Sequence, residues 1–149
     1  MFNKILVGID FSDASKLALA RGADLAQQLG APLVALHVME PPAPLYAMGE
    51  LPLLDPAWIA AVESEARKKL DEWMAPYAAL LSAYAGSRTV IHWGRPVEGL
   101  VEAADAGSLI IVGQVGHSTM KRLLFGSTAS GVARHAPCDV LVVRAGAEG

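Results

Sequence analysis

Leu109 to Val112 is a run of branched apolar residues that leads straight into Gly113, with Gly116 close behind and Gly126, Ser127 and Thr128 after a spacer of nine residues. That order reads as a parallel strand, a loop punctuated by glycine and the start of a helix. Glycine permits φ > 0 and removes the Cβ that would keep a ligand away from backbone N–H groups. Successive N–H groups in such a loop form a concavity for an anion. The first turn of the following helix adds unpaired donors and a partial positive charge, so phosphate can be held there without a lysine.

The same strand-to-helix order recurs along the chain. Lys4 to Asp10 and Leu33 to Met39 are strand-like and flank a helical segment from about Asp13 to Leu29, stopped by Gly30 and Pro32. A parallel return needs a crossover of about a dozen residues or more, usually helical, so this is a βαβ unit. Pro41 to Pro56 is proline-rich with no helical or alternating period, and it reads as a long loop, a candidate flap. From Ala57 to about Tyr84, Ile59, Val62, Ala66, Leu70, Trp73, Tyr77, Leu80 and Tyr84 recur at helical spacing, and Pro76 predicts a kink or break near Ala75. Arg88 to Trp93 is a third strand. Pro96 then opens a helix carrying Val97, Leu100, Val101 and Ala104 that Gly107 ends. Leu109 to Val112 is the fourth strand, a helix runs from Gly126 to about His135, and Asp139 to Arg144 is the fifth.

This alternation predicts an α/β fold: a five-stranded doubly wound parallel sheet in the order 3-2-1-4-5, with helices on both faces, Rossmann-like. Residues 1–149 read as one domain with no internal repeat. In such sheets the ligand crevice lies beyond the carboxyl ends of the strands where their order reverses. Asp10 and Gly113 then face one point.

Charged residues make up only 18% of the chain against an ordinary value of about 25%. Yet no apolar segment approaches the ~20 residues that span a bilayer, and Asp10 interrupts the first apolar run before it could serve as a signal peptide. The expectation is a cytoplasmic protein without a membrane partner. A net charge of −3, with the basic residues otherwise scattered around the runs at Lys68, Lys69 (preceded by Arg67) and Lys121, Arg122, argues against nucleic acid as a main partner. The single cysteine, Cys138, excludes an intrachain disulfide and a cysteine-based metal cluster; it reads as a small buried hydrophobe at the start of a strand. His37, His92, His117 and His135 have no metal-ligand spacing, so no zinc site is expected. Trp58, Trp73 and Trp93 read as packing residues.

The glycine pattern is neither a Walker A loop nor a GxGxxG fingerprint. Binding would rest on backbone amides and the hydroxyls of Ser127 and Thr128. Three or four hydrogen bonds to charged oxygens, at roughly 1.5–3 kcal/mol each less ordering costs, reach about micromolar affinity. Asp10 repels phosphate and suits an exocyclic amine or a ribose hydroxyl; its structural alternative is to help start the helix at Phe11–Ser15, where Ser12 is the better cap. His117, Lys121 and Arg122 lie in the loop as added charge or as solvated residues. Ser127 has no GxSxG elbow and no His–acid pair, so no catalytic residue is assigned.

On these residues the chain resembles the universal stress protein family over essentially its whole length. The match is carried by KILVGIDFSDAS at the start, G-x2-G-x9-G-S at Gly113, Gly116, Gly126 and Ser127, and RHAPCDVLVVR near the end. The resemblance implies the ATP-binding subclass, with Asp10 and the Val38 backbone at the adenine, Gly113 near ribose and phosphate, Gly116 at the α/β-phosphates, and Gly126, Ser127 and Thr128 at the terminal phosphate. With their neighbours Gly8, Ile9, Val112 and His117 these form the expected nucleotide site. ATP, or ADP or AMP, is the implied ligand, with Mg²⁺ held mainly by the phosphates. Gln114, His117 and Ser108 stand where the family often has Ser or Thr, Arg, and an acid. The implied role is a stress-response switch or partner module; a slow ATP hydrolase or nucleotidyl transferase of the same fold, and a nucleotide-free interaction protein, are the alternatives. The resemblance also implies a homodimer, and Val140 to Val143 carries no charge or proline to protect a sheet edge, which points to pairing through the last strand.

Overall fold

The computed structural model describes residues 1–41, 55–114 and 125–144. Five short strands form its centre: β1 (Lys4–Gly8), β2 (Leu33–Met39), β3 (Arg88–Trp93), β4 (Ser108–Gly113) and β5 (Asp139–Val143). They pair in parallel in the order β3-β2-β1-β4-β5, as expected. Chain order reverses between β1 and β4, where Ile5 faces Leu109 and Val7 faces Ile111.

The helices follow from local chemistry. α1 (Asp13–Leu29) begins at Ser12, whose side chain accepts the Ser15 N–H, and ends at Gly30 with φ 64°, a left-handed cap that glycine adopts without Cβ strain. α2 (Pro56–Met74) is capped by Asp55 and has proline in its first turn. Pro76 breaks the long apolar pattern into α2, a 3₁₀ turn (Ala75–Tyr77) and α3 (Ala78–Ala83), because proline lacks an N–H and crowds the preceding turn. α4 (Pro96–Ala103) and α5 (Ser127–His135) complete the described helices.

The end of α4 differs from expectation by several residues. α4 stops at Ala103, ahead of Gly107, because Asp105 organises a turn there. Its carboxylate accepts the Gly107 N–H at 2.9 Å and its own N–H donates to Ser108 Oγ at 3.0 Å. Ser108, fully buried, returns a hydrogen bond to Asp105 at 3.2 Å.

Alternation along the central strands divides the core in two. Ile5, Val7, Leu33, Ala35 and Ile111 face α1 with Leu70 and Met74 of α2, whereas Leu6, Val34, Leu36, Ile110 and Val112 face Leu100 of α4 and Val132 of α5. Each fully buried Leu or Ile contributes about 1.5–3 kcal/mol. Trp73 packs edge-on to Phe11 at 5.3 Å, and Trp93 donates to Glu63 at 2.6 Å while Trp58 lies 6.4 Å away, 39% exposed. Cys138 packs beside the second core just before β5, and burial pushes its thiol pKa up.

Candidate functional site

Three strands end at one level, and the chain turns away from each in a different way. β1 continues one residue past Gly8, with Ile9 N–H donating to Leu36 O at 2.8 Å. The next residues form a tight cap. Asp10 Oδ1 accepts the Ser12 N–H at 2.9 Å and also the Ser12 hydroxyl. Phe11 sits at φ 63°, the only non-glycine with positive φ among the described residues. Phe11 is held there by the His37 ring at 4.5 Å, the Trp73 edge and the Lys69 ammonium at 4.6 Å. So Asp10 does serve the start of α1, through Ser12, and it does so at the mouth of a cavity.

Over the last residues of β2 the backbone alternates. Leu36 O faces β1, where it accepts Ile9 N–H, and Met39 O faces β3, where it accepts Gly94 N–H at 2.9 Å. Val38, between them, therefore turns its N–H and C=O toward the β1 side, past the last residue that β1 pairs.

β4 runs into Gly113 and Gln114. A Cβ on Gly113 would stand 2.7 Å from Ala14 Cβ and 2.8 and 2.9 Å from the Ala14 carbonyl carbon and oxygen, so the strand end lies directly against the first turn of α1. Gln114 is 95% buried by its 5% exposure, and its backbone joins three elements. Its N–H donates to Val143 O at 2.9 Å and its carbonyl accepts Gly126 N–H at 2.7 Å. This fixes the entry to α5. Because Gly126 is the N-cap and brings no side-chain acceptor, the first-turn amides of Ser127, Thr128 and Ala129 have no partner within the helix.

These ends enclose a cavity of about 580 Å³. Of the expected site residues, Gly8, Ile9, Asp10, Val38, Val112, Gly113, Gly126, Ser127 and Thr128 line it together. Gly116 and His117 lie outside the described residues, as do most of the Pro41–Pro56 loop and the pair Lys121, Arg122. The structure adds lining residues that the motif did not indicate: Ser12, Ser15, Leu36, His37, Met39, Glu40, Pro96, Leu100, Gln114 and Ala129. Pro96 and Leu100 had a signal only as a helix start and an apolar face; nothing in their spacing tied them to a cavity. Chemically the cavity offers a carboxylate and a backbone donor–acceptor pair at one end, an apolar floor of Leu36, Leu100 and Val112, and an uncapped helix N-terminus at the other. Among the described residues no three of His, Cys, Asp and Glu cluster as metal ligands.

That arrangement defines a class of nucleotide-sized pocket at the switch point of a doubly wound sheet. The universal stress protein family model matches residues 1–144, and the chain belongs to that family. A universal stress protein of Thermus aquaticus is 36% identical over 146 residues, covering 97% of this chain and 100% of that protein. The mycobacterial relatives are 34% identical over 140 residues, which is 94% of this chain but 45% of theirs, so the chain spans about half their length. Among solved structures, universal stress protein UspA from Lactobacillus plantarum superposes with a TM-score of 0.71 at 29% identity, over 96% of this chain and 98% of that one. A universal stress protein solved in complex with cAMP gives 0.60 at 29% identity, over 97% and 98%. No described helix is long and apolar enough to cross a membrane.

Proposed function

We propose that this chain binds an adenine nucleotide, ATP foremost, in the carboxyl-edge cavity, and acts as a nucleotide-dependent switch or partner module in a cytoplasmic stress response. The observation that carries this reading is the opposition, across one cavity, of the Val38 backbone and Asp10 to the uncapped first turn of α5. An N–H and C=O side by side match the N1 acceptor and exocyclic amine of adenine, and Asp10 suits a ribose hydroxyl or the amine. Phosphate oxygens suit the Ser127, Thr128 and Ala129 amides, which add donors and the positive end of the helix dipole. Gly126 contributes differently from the motif's implication: its N–H is already held by Gln114 O, so it shapes the turn and leaves binding to the residues after it. Gly116 and His117 complete the phosphate side in this reading. The volume accommodates a nucleotide, cavities of about 300–1,000 Å³ being usual for small ligands. Mg²⁺, when present, rides on the phosphates. The cAMP complex of a relative supports an adenine ligand for this architecture.

The test is direct. The purified protein is heat-denatured and the supernatant chromatographed, then the apoprotein is titrated with ATP, ADP, AMP and cAMP. Released adenine nucleotide, or saturable micromolar binding, is the expected result; empty protein that binds none of the four refutes the reading. Steady phosphate release from ATP in the same sample would move the proposal to a hydrolase. We propose also a homodimer through β5, whose Val140 and Val142 backbone groups face away from β4; sedimentation as a clean monomer at micromolar concentration removes it.

A further inference from the structure

In a parallel ladder the donor that follows Ile9 N–H to Leu36 O is the amide of Val38, and its acceptor is the Ile9 carbonyl. That carbonyl instead accepts a hydrogen bond from His37 Nδ1, at 2.7 Å. A carbonyl only accepts, so the neutral ring must carry its proton on Nδ1. His37 projects from β2 to the α1 side, and the same ring packs at a tilt against Phe11, the residue at φ 63° that turns the chain after Asp10. One side chain thus touches both segments that form the adenine end of the cavity: Ile9–Phe11, which carries Asp10, and the strand that carries Val38.

We infer that His37 is the positioning residue for base recognition: by taking the Ile9 carbonyl it ends the β1–β2 ladder, which leaves the Val38 amide directed into the cavity, while Trp73 and Lys69 hold Phe11 and the turn that carries Asp10 alongside the His37 ring. This rests on the adenine-nucleotide reading above. Backbone strain at a non-glycine residue persists where surrounding structure over-determines it, and it concentrates at binding sites. Here the over-determination comes from His37, Trp73 and Lys69 around one ring. His37 makes no contact with phosphate in this account. Its effect is on how well the site distinguishes adenine.

Two substitutions separate the two contacts. His37→Asn keeps an N–H donor near the Nδ1 position and deletes the ring; His37→Phe keeps a ring against Phe11 and deletes the donor. The expected result is that His37→Asn binds ATP within about threefold of the unaltered protein, whereas His37→Phe loses about tenfold or more and loses preference for ATP over GTP, even where its melting temperature is the higher of the two. Equal losses in both variants, or losses that track melting temperature, overturn the inference. Independently of folding in either variant, long-range ¹H–¹⁵N spectra of the unaltered protein should show His37 as the Nδ1–H tautomer; the Nε2–H tautomer overturns it as well. A protein that binds no adenine nucleotide at all defeats the functional reading instead, and the tautomer then decides the ladder-ending role alone.

Discussion

Replacing Gly113 with alanine would place a methyl group inside the first turn of α1. The new Cβ would meet Ala14 at 2.7, 2.8 and 2.9 Å, and two of those three atoms are backbone, so no side-chain rotation relieves the contact. Relief requires α1 to move away from β4, or β4 to bend at its end. Inserting a methyl into a packed site costs about 1–3 kcal/mol. Against this, alanine restricts the unfolded chain and returns about 0.4–1 kcal/mol. The net expectation is destabilisation by about 1–2 kcal/mol, which at about 2–4 °C per kcal/mol for a chain of this size lowers the melting temperature by about 2–8 °C. Differential scanning calorimetry on the two nucleotide-free proteins measures it. Because Ala14 lies just after the Asp10–Ser12 cap, nucleotide affinity should fall in the same variant. A Gly113→Ala protein that melts at or above the unaltered temperature would falsify the claim that Gly113 is required for helix–strand contact, and would return it to the role of a bare phosphate ligand.

Ser12→Ala removes the buried cap of α1 and the acceptor of the Ser15 N–H, and should destabilise by about 1–2 kcal/mol in urea unfolding, whereas Ser12→Gly should cost only about a few tenths of a kcal/mol. Asp105 has its carboxyl pKa held below the usual range, first by the Asn3 side chain, then by the Gly107 N–H, with Lys4 at 3.4 Å adding a smaller pull. A depressed folded pKa contributes stability above the unfolded value of about 3.9 and loses it as pH falls through the lower folded one. Urea midpoints of Asp105→Asn should therefore lie below those of the unaltered protein at pH 6 and converge with them toward pH 2.5; a constant gap would contradict the electrostatic origin. Thiol labelling of Cys138 in the native protein should still accelerate with pH beyond the ordinary thiol range, since burial raises its pKa; a plateau below that range would refute this.

Much of the fold was legible because local chemistry wrote it. Apolar runs marked the strands, Ser12 and Gly30 bounded α1, and Pro76 broke the long helix, each through an interaction within a few residues. The order of elements then selected the sheet, since parallel strands joined by helices admit few right-handed arrangements. It also located the edge of the sheet where the cavity lies, lined by Asp10, Gly113 and Gly126 together. The end of α4 was misread at Gly107 because a side chain, Asp105, made the turn that glycine alone suggested.

What the sequence determined by itself was the periodicity, the caps and the breaks, and through them the sheet and the position of its cavity. Tertiary structure alone decided why Gly113 must be small, that Gln114 binds β5 to the entry of α5, and that His37 holds the Ile9 carbonyl. Those facts depend on the register between segments far apart in the chain, and a residue's spacing encodes which face it occupies but not which distant atom arrives there.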